Sequence, residues 1–303
     1  MSICVLGSIN LDLVLRVARL PTPGETLAAS SRADRLGGKG ANQAAAAARL
    51  GATTRLIGAI GDDQVGDRLL AQLGATGVDV VQVRRVAGQS TGQALILVSD
   101  AGENVIVVDG GANLALTADQ LHAEAWSDVA VLLAQLETPP AVIQAAFAAA
   151  RSRGVRTLLN AAPALDEGRV LFDLTDVLIV NQTELARFAG AAPGADLDQT
   201  ARAALGLIAA PGQWVIVTLG AAGALAVTAD QRLVVPGRPA AVIDTTGAGD
   251  CFCGALAVAL SEGQTMGEAL HLANVAASLS VGRHGAAGAK PTRAEVEAAR
   301  AAV

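Results

Sequence analysis

The sequence predicts an α/β fold, a mostly parallel central sheet with helices on both faces plus a small β-sheet set apart from it. Three observations lead there. Apolar runs of strand length alternate with helical stretches from one end of the chain to the other. Those runs are continuously apolar, as strands are when both faces of a sheet are covered. Two regions, 13–35 and 92–109, break the rhythm and read as extended chain with turns and no helix between.

Taken in order, Ile3-Cys4-Val5-Leu6 is the first strand and stops at Gly7. The run Gly37-Gly38-Lys39-Gly40-Ala41-Asn42-Gln43 opens a helix that continues through Ala44–Leu50 and ends at Gly51. Its alanines express helix preference. Leu56–Ile60 is the next strand and Gln64–Thr76 the next helix. Gln93–Val98 and Asn104–Val108, joined through Asp100-Ala101-Gly102-Glu103, form a hairpin. Strands Ala130–Gln135, Thr157–Asn160, Val177–Val180 and Trp214–Leu219 then alternate with helices Ala141–Arg153, Glu184–Ala189 and Thr200–Ile208. An apolar helix covers Cys251–Leu260. Residues 1–303 read as one domain from which 13–35 and 92–109 project. Polar residues stand near the C-terminal ends of the strands (Asn10, Glu137, Asn160, Asn181, Thr218), the edge where open α/β sheets bind ligands.

Composition narrows the function classes. A 52% hydrophobic content supports a substantial core, and 17% charged residues argue against disorder. The net charge is −6 and no basic run exceeds Arg84-Arg85, so neither nucleic acid nor an anionic membrane is an expected partner. No apolar stretch approaches the roughly 18 residues of a membrane span, and the start of the chain has no signal-peptide pattern; a cytoplasmic location is expected. Cys4 falls in a strand, and Cys251 and Cys253 lack zinc-ligand spacing, so buried free thiols are expected. His122, His271 and His284 are scattered and share no ligand spacing.

The most informative run is Asp244-Thr245-Thr246-Gly247-Ala248-Gly249-Asp250-Cys251-Phe252. Glycines at a helix start leave backbone N–H groups facing outward where the helix dipole adds positive charge, a setting suited to a phosphoryl group. Asp250 beside it would repel phosphate unless it served to take a proton from an attacking hydroxyl. Alone, the run also reads as a turn with an Asp N-cap. The second glycine-rich element, Gly37–Gln43, favours the chemical reading. No Gly-x-x-x-x-Gly-Lys-Ser/Thr occurs, so a P-loop is excluded.

Together these two elements resemble the two signatures of the ribokinase-like (phosphofructokinase-B) family of sugar and nucleoside kinases. Gly7-Ser8-Ile9-Asn10-Leu11-Asp12, Pro21-Thr22-Pro23-Gly24-Glu25-Thr26, Gln135-Leu136-Glu137 and Asn181-Gln182-Thr183-Glu184 match in the same order, so the likeness covers nearly the whole chain. The resemblance implies ATP-dependent phosphorylation of a small furanose, D-ribose at its 5-hydroxyl, with deoxyribose, fructose or adenosine as alternative acceptors. A sugar sensor without activity is a rival of another class.

Residue by residue, the resemblance assigns Asn10, Leu11, Asp12, Gly38, Lys39, Gly40, Ala41, Asn42 and Glu137 to the sugar. Asp250 becomes the base, and the N–H groups of Gly247, Ala248 and Gly249 an anion hole. Asn181, Glu184, Thr218, Leu219, Gly220, Ala221, Ala222, Gly223, Gly249, Asp250 and Asn274 fall to the nucleotide. Magnesium is expected with ATP. A potassium site is implied at Asp244, Thr246, Ser280, Arg283, Gly285 and Ala289, the last standing where some relatives have serine. The projecting strands correspond to the family's lid, which implies a homodimer.

Overall fold

The computed structural model describes residues 2–121, 128–190, 196–285 and 287–301; His122 lies outside them. Strand β1 (Ser2–Leu6) occupies the interior of a ten-stranded sheet among the described residues. Beyond it on one side come β4 (Thr53–Gly61), β5 (Val78–Asp79) and β6 (Val83–Val86), all parallel, with β5 and β6 both pairing with β4. On the other side lie β9 (Val129–Gln135), β10 (Arg156–Asn160), β11 (Val177–Asn181) and β12 (Trp214–Thr218), also parallel. β13 (Gly223–Val227) and β14 (Arg232–Pro236) complete that side in antiparallel pairing.

Side-chain alternation explains how one sheet supports two cores. In β1, Ile3 and Val5 enter one apolar cluster while Cys4 and Leu6 enter another; β9 divides Val131 and Leu133 from Leu132 and Ala134 in the same way. The first cluster includes residues of α1 (Lys39–Arg49), α2 (Gln64–Gly74), α6 (Ala248–Ser261), α7 (Met266–Ser280) and α8 (Arg293–Ala301). The second is covered by α3 (Pro140–Arg151), α4 (Gln182–Ala189) and α5 (Leu197–Leu205). Helices on both faces are therefore observed. All three cysteines are buried free thiols, and His271 and His284 are exposed.

A separate four-stranded sheet runs β3-β2-β7-β8, built from β2 (Asn10–Val17), β3 (Ser31–Gly37), β7 (Gly92–Ser99) and β8 (Asn104–Asp109). The expected hairpin is the antiparallel β7–β8 pair. The sheet begins earlier than expected, at Asn10, because β2 pairs with β3 all the way down to Gly37. Asn10 and Asp12 thus lie on a strand of the small sheet and do not end a strand of the central one. Helix α7 was not foreseen, although Thr265-x-x-Glu268 forms a complete capping box at its start. Helix α8 was not foreseen either. No described helix is long and apolar enough to cross a membrane.

Candidate active site

Helix α6 sets the geometry. Its N-cap is Gly247, at φ 72°, a left-handed conformation that glycine adopts without Cβ strain; no side chain caps the helix. Ala248, Gly249 and Asp250 form the first turn, so the helix starts earlier than its apolar run suggested. Asp250 is therefore not the cap. Its buried carboxylate accepts hydrogen bonds from α1, with Asn42 Nδ2 on Oδ2 at 3.0 Å and Gln43 Nε2 on Oδ1 at 3.0 Å. The capping alternative fails because Asp250 is spent on another helix.

Behind this pair lies a second layer. Gln43 Nε2 also donates to Asn160 Oδ1 at 3.0 Å, and its Oε1 accepts from Gln135 Nε2 at 2.8 Å. Gln43 and Gln135 are fully buried, so the amides fix one another and, through them, the carboxylate. Both glutamines sit inside the motifs read above, yet nothing in those motifs indicates that they support Asp250.

The anion hole is open at Gly249, which is exposed, but not at Ala248, whose N–H donates to Thr245 O at 3.2 Å. The expected three-donor crown is corrected accordingly: Ala248 closes a turn. Gly247 contributes conformation and a carbonyl, which accepts Cys251 N at 2.9 Å as the helix's first bond.

A cavity of about 130 Å³ in front of this helix start is lined by Lys39, Asn160, Asn181, Glu184, Thr218, Gly247, Gly249 and Asp250, among others. Burial pulls the Lys39 ammonium down, but the carboxylates of Asp250, Glu137 and Glu184 together outweigh it and hold it above its ordinary value. Burial pushes Glu184 up, with Asp250 adding to it against the Asn181 backbone bond and Lys39. Asn181 and Glu184 also form a capping box for α4, each side chain bonded to the other's N–H at 2.8 Å. The Asn-x-x-Glu element thus has a local folding role that the sequence reading left out.

The cavity adjoins a larger one of about 500 Å³, with Thr218 and Gly249 in both linings. Gly220, Ala221 and Gly223 of the turn between β12 and β13, Asn274 and Ala277 of α7, and Val242 line it. Leu219 and Ala222 are outside this lining: Leu219 is buried, with its N–H on Gly223 O at 2.8 Å, and Ala222 N closes the turn on Leu219 O. Asn274 Nδ2 donates to Pro236 O at 2.6 Å, so it braces β14 as well as lining the wall. Ala277 and Val281 of the lining had no motif to reveal them, and Phe252, at the end of the glycine run, had no assigned role.

The residues that the resemblance assigns to the sugar converge from three segments. Glu137 Oε2 accepts Ser8 Oγ at 2.5 Å and Lys39 N at 3.1 Å. Asn10 Oδ1 accepts Asn113 Nδ2 at 2.7 Å, and Asn113 is a partner the sequence did not indicate. Asn42 Oδ1 is buried with no hydrogen-bond partner, so it keeps its acceptor capacity. Leu11, Gly40 and Ala41 have roles in the fold: Leu11 packs in the core, Gly40 seats its backbone against Gly7, and Ala41 N bonds Ser8 O at 2.9 Å. Gly38, at φ 87°, turns the chain from β3 into α1.

Asp12 is displaced strongly. Burial, then the carboxylates of Glu137 and Asp250, push it up to about 7 against Arg35 and Lys39. The folded protein thus keeps this proton up to about pH 7, whereas an unfolded chain releases it near about pH 4. Stability should fall as pH rises through that window. Asp12→Asn should flatten the fall and be the more stable protein at pH 8, as urea midpoints across pH would show; equal slopes in both proteins would mean Asp12 is ionised throughout.

The residues at the implied potassium site come together, but their side chains are already engaged, which leaves backbone carbonyls as the remaining donors. Asp244 Oδ1 takes Thr246 N at 2.9 Å, and Oδ2 takes Gly285 N at 3.0 Å with Arg35 Nη1 at 3.4 Å. Arg283 is paired with Glu295, Ser280 Oγ donates to Ala277 O within its helix, and Ala289 offers no side-chain oxygen. The Lys290 ammonium reaches the adjoining turn, where it donates to Gly247 O at 2.6 Å. Magnesium fits better: it binds through one or two carboxylates, phosphate oxygens and water, and Glu184 and Asp250 line the cavity that would take the phosphates.

A profile described as pfkB family carbohydrate kinase matches residues 1–293. The chain belongs to that family. Among PfkB relatives, a Haemophilus influenzae ribokinase is 37% identical over 297 residues, covering 97% of this chain and 96% of its own. A bifunctional ribokinase/ribose-5-phosphate isomerase A of Fructilactobacillus sanfranciscensis is 39% identical over 296 residues, 96% of this chain, which spans 54% of that longer protein. The solved Arabidopsis thaliana ribokinase complexed with ribose and ATP superposes with a TM-score of 0.90 at 34% identity, covering 98% of each chain. This PfkB chain is accordingly a kinase by family, and ATP with magnesium goes with that membership.

Proposed function

We propose that this chain transfers the γ-phosphoryl group of ATP to the 5-hydroxyl of D-ribose, giving ribose 5-phosphate and ADP. The observation that carries this reading is the placement of Asp250. Its carboxylate is buried at the mouth of an open helix N-terminus, between a cavity sized for a nucleotide and a cluster of donors and acceptors suited to a polyol.

Ribose would lie among Asn10, Asp12, Lys39, Asn42 and Glu137, with its primary hydroxyl against Asp250. Asp250 takes the hydroxyl proton as the oxygen attacks the γ-phosphorus in line. Negative charge growing on the phosphoryl oxygens is met by the Gly249 N–H, the α6 dipole and Lys39. Magnesium, held near Glu184 and Asn181, would neutralise charge on the phosphates. Potassium is left out of the scheme because its cluster is already engaged. Positioning in a water-poor cleft supplies most of the acceleration.

In the same proposal, 1–303 is one domain whose small sheet acts as a lid over the sugar. That sheet exposes Val105, Ile106, Val107 and Val108 on β8, an edge strand without a described outer partner, and pairing there in a homodimer would cover them. A monomer in sedimentation at assay concentrations would remove the dimer. A cytoplasmic location is in keeping with this chemistry; recovery of the native protein outside the cytoplasm would contradict it.

The test is ADP release with ribose, deoxyribose, fructose and adenosine as acceptors. Ribose should give the highest kcat/KM. Ribose binding seen by calorimetry without ADP release would favour a sensor. The nucleotide cavity gives a separable prediction: Ala277→Phe should raise the KM for ATP at least about tenfold and leave the ribose KM unchanged, because a ring would fill the wall of that cavity. An unchanged KM for ATP would place the nucleotide elsewhere.

A further inference from the structure

Lys290 is fully buried, one of the largest side chains in the molecule with no exposure. Its Nζ lies 2.6 Å from the carbonyl oxygen of Gly247, the N-cap of α6, and its own carbonyl accepts Arg49 Nε at 2.6 Å, so both ends of the residue are tied. None of the ion pairs among the described residues includes it. A buried ammonium without a counter-charge is costly, so it needs carbonyl dipoles, or an anion supplied from outside, to be tolerated. Gly247 O is such a dipole, and the open face of the same helix start is where the transferring phosphoryl group would stand.

The surroundings agree with this placement. Cys251, in the first turns of α6, is pushed up by burial, and the nearby Lys290 ammonium opposes that push, as does a hydrogen bond from Ser280. Ser280, and Ala289 next to Lys290 in the chain, both belong to the cluster where the resemblance implies potassium, and the side chains of that cluster are engaged elsewhere or carry no oxygen.

We propose that the Lys290 ammonium takes the place of a monovalent cation, holding fixed positive charge behind the anion-binding start of α6 so that phosphoryl transfer does not require potassium. Lys290 is a positioning residue, since it acts on the phosphoryl group through the helix start and does not touch it. The inference rests on the kinase reading above, but the two fail separately: no ADP with any acceptor sinks the kinase, whereas strong potassium dependence of a working kinase sinks only the role of Lys290.

The experiment measures ADP release by the full chain at saturating ribose and magnesium ATP, in potassium, sodium and tetramethylammonium chloride at matched ionic strength. The expected kcat values agree within about twofold. Lys290→Met, which keeps the length and removes the charge, should lower kcat about tenfold or more without moving the ribose KM, and potassium or ammonium ions should restore part of it. Activation of the parent protein severalfold by potassium over tetramethylammonium would overturn the inference. So would a folded Met variant with unchanged kcat. If that variant does not fold, Lys290→Arg together with the salt comparison on the parent protein decides the matter.

Discussion

Asp250→Asn is expected to lower kcat at least about a hundredfold while leaving ribose affinity nearly unchanged. Each carboxylate oxygen accepts one amide, from Asn42 and from Gln43. A carboxylate has about four lone-pair sites, so both oxygens keep acceptor capacity for a substrate hydroxyl. An asparagine fills the same space but has no basic oxygen, and its NH2 must face one of the two amide donors. The loss should therefore fall on turnover. Steady-state kinetics with calorimetric ribose binding separates the cases. Near-normal turnover would remove Asp250 from the mechanism, and lost sugar binding would make it a structural anchor.

Gly40→Ala should have the second largest effect, this time on folding as well as catalysis. A Cβ at Gly40 would come within 2.5 Å of the Gly7 carbonyl carbon and 2.6 Å of Ser8 N, backbone atoms that have no rotamer to relieve them. The N-terminus of α1 would have to move away from the loop after β1. Overpacking of this kind costs about 1–3 kcal/mol. The same shift would carry Lys39, Asn42 and Gln43 away from Glu137 and Asp250, so kcat/KM should fall with the urea midpoint. An unchanged midpoint would show that the contact can relax freely.

Much of the fold was legible because it is written locally. Continuous apolar runs such as Val177–Val180 imply a sheet covered on both faces, and the two cores of β1 and β9 bear this out. The small sheet was visible as a break in helical period, but its start was misplaced at 13. Asn10–Asp12 could close a strand or open one, and only the pairing of Asn10 with Gly37 settles which. Helix α7 was missed although its capping box was in plain sight; its apolar residues are spread round the helix, so no amphipathic period drew attention to it.

The site was legible as motifs, less so as roles. Asp250 and Gly249 stand where the glycine run suggested, whereas Ala248 spends its N–H on a turn and Leu11 faces the core. Asn181 and Glu184 serve their own helix as well as lining the cleft.

By itself the sequence determined the layering of the sheet, the glycine turns and the helix start that can hold an anion, because each depends on residues a few positions apart. The tertiary structure alone decided that Asp250 is gripped by Asn42, 208 positions away, that Gln135 stands behind Gln43, and that Lys290 is sealed inside. A lysine reads the same in a string of letters whether it meets water or a carbonyl. Burial and long-range pairing arise only when distant segments pack together, and that packing sets the charge around the reacting groups.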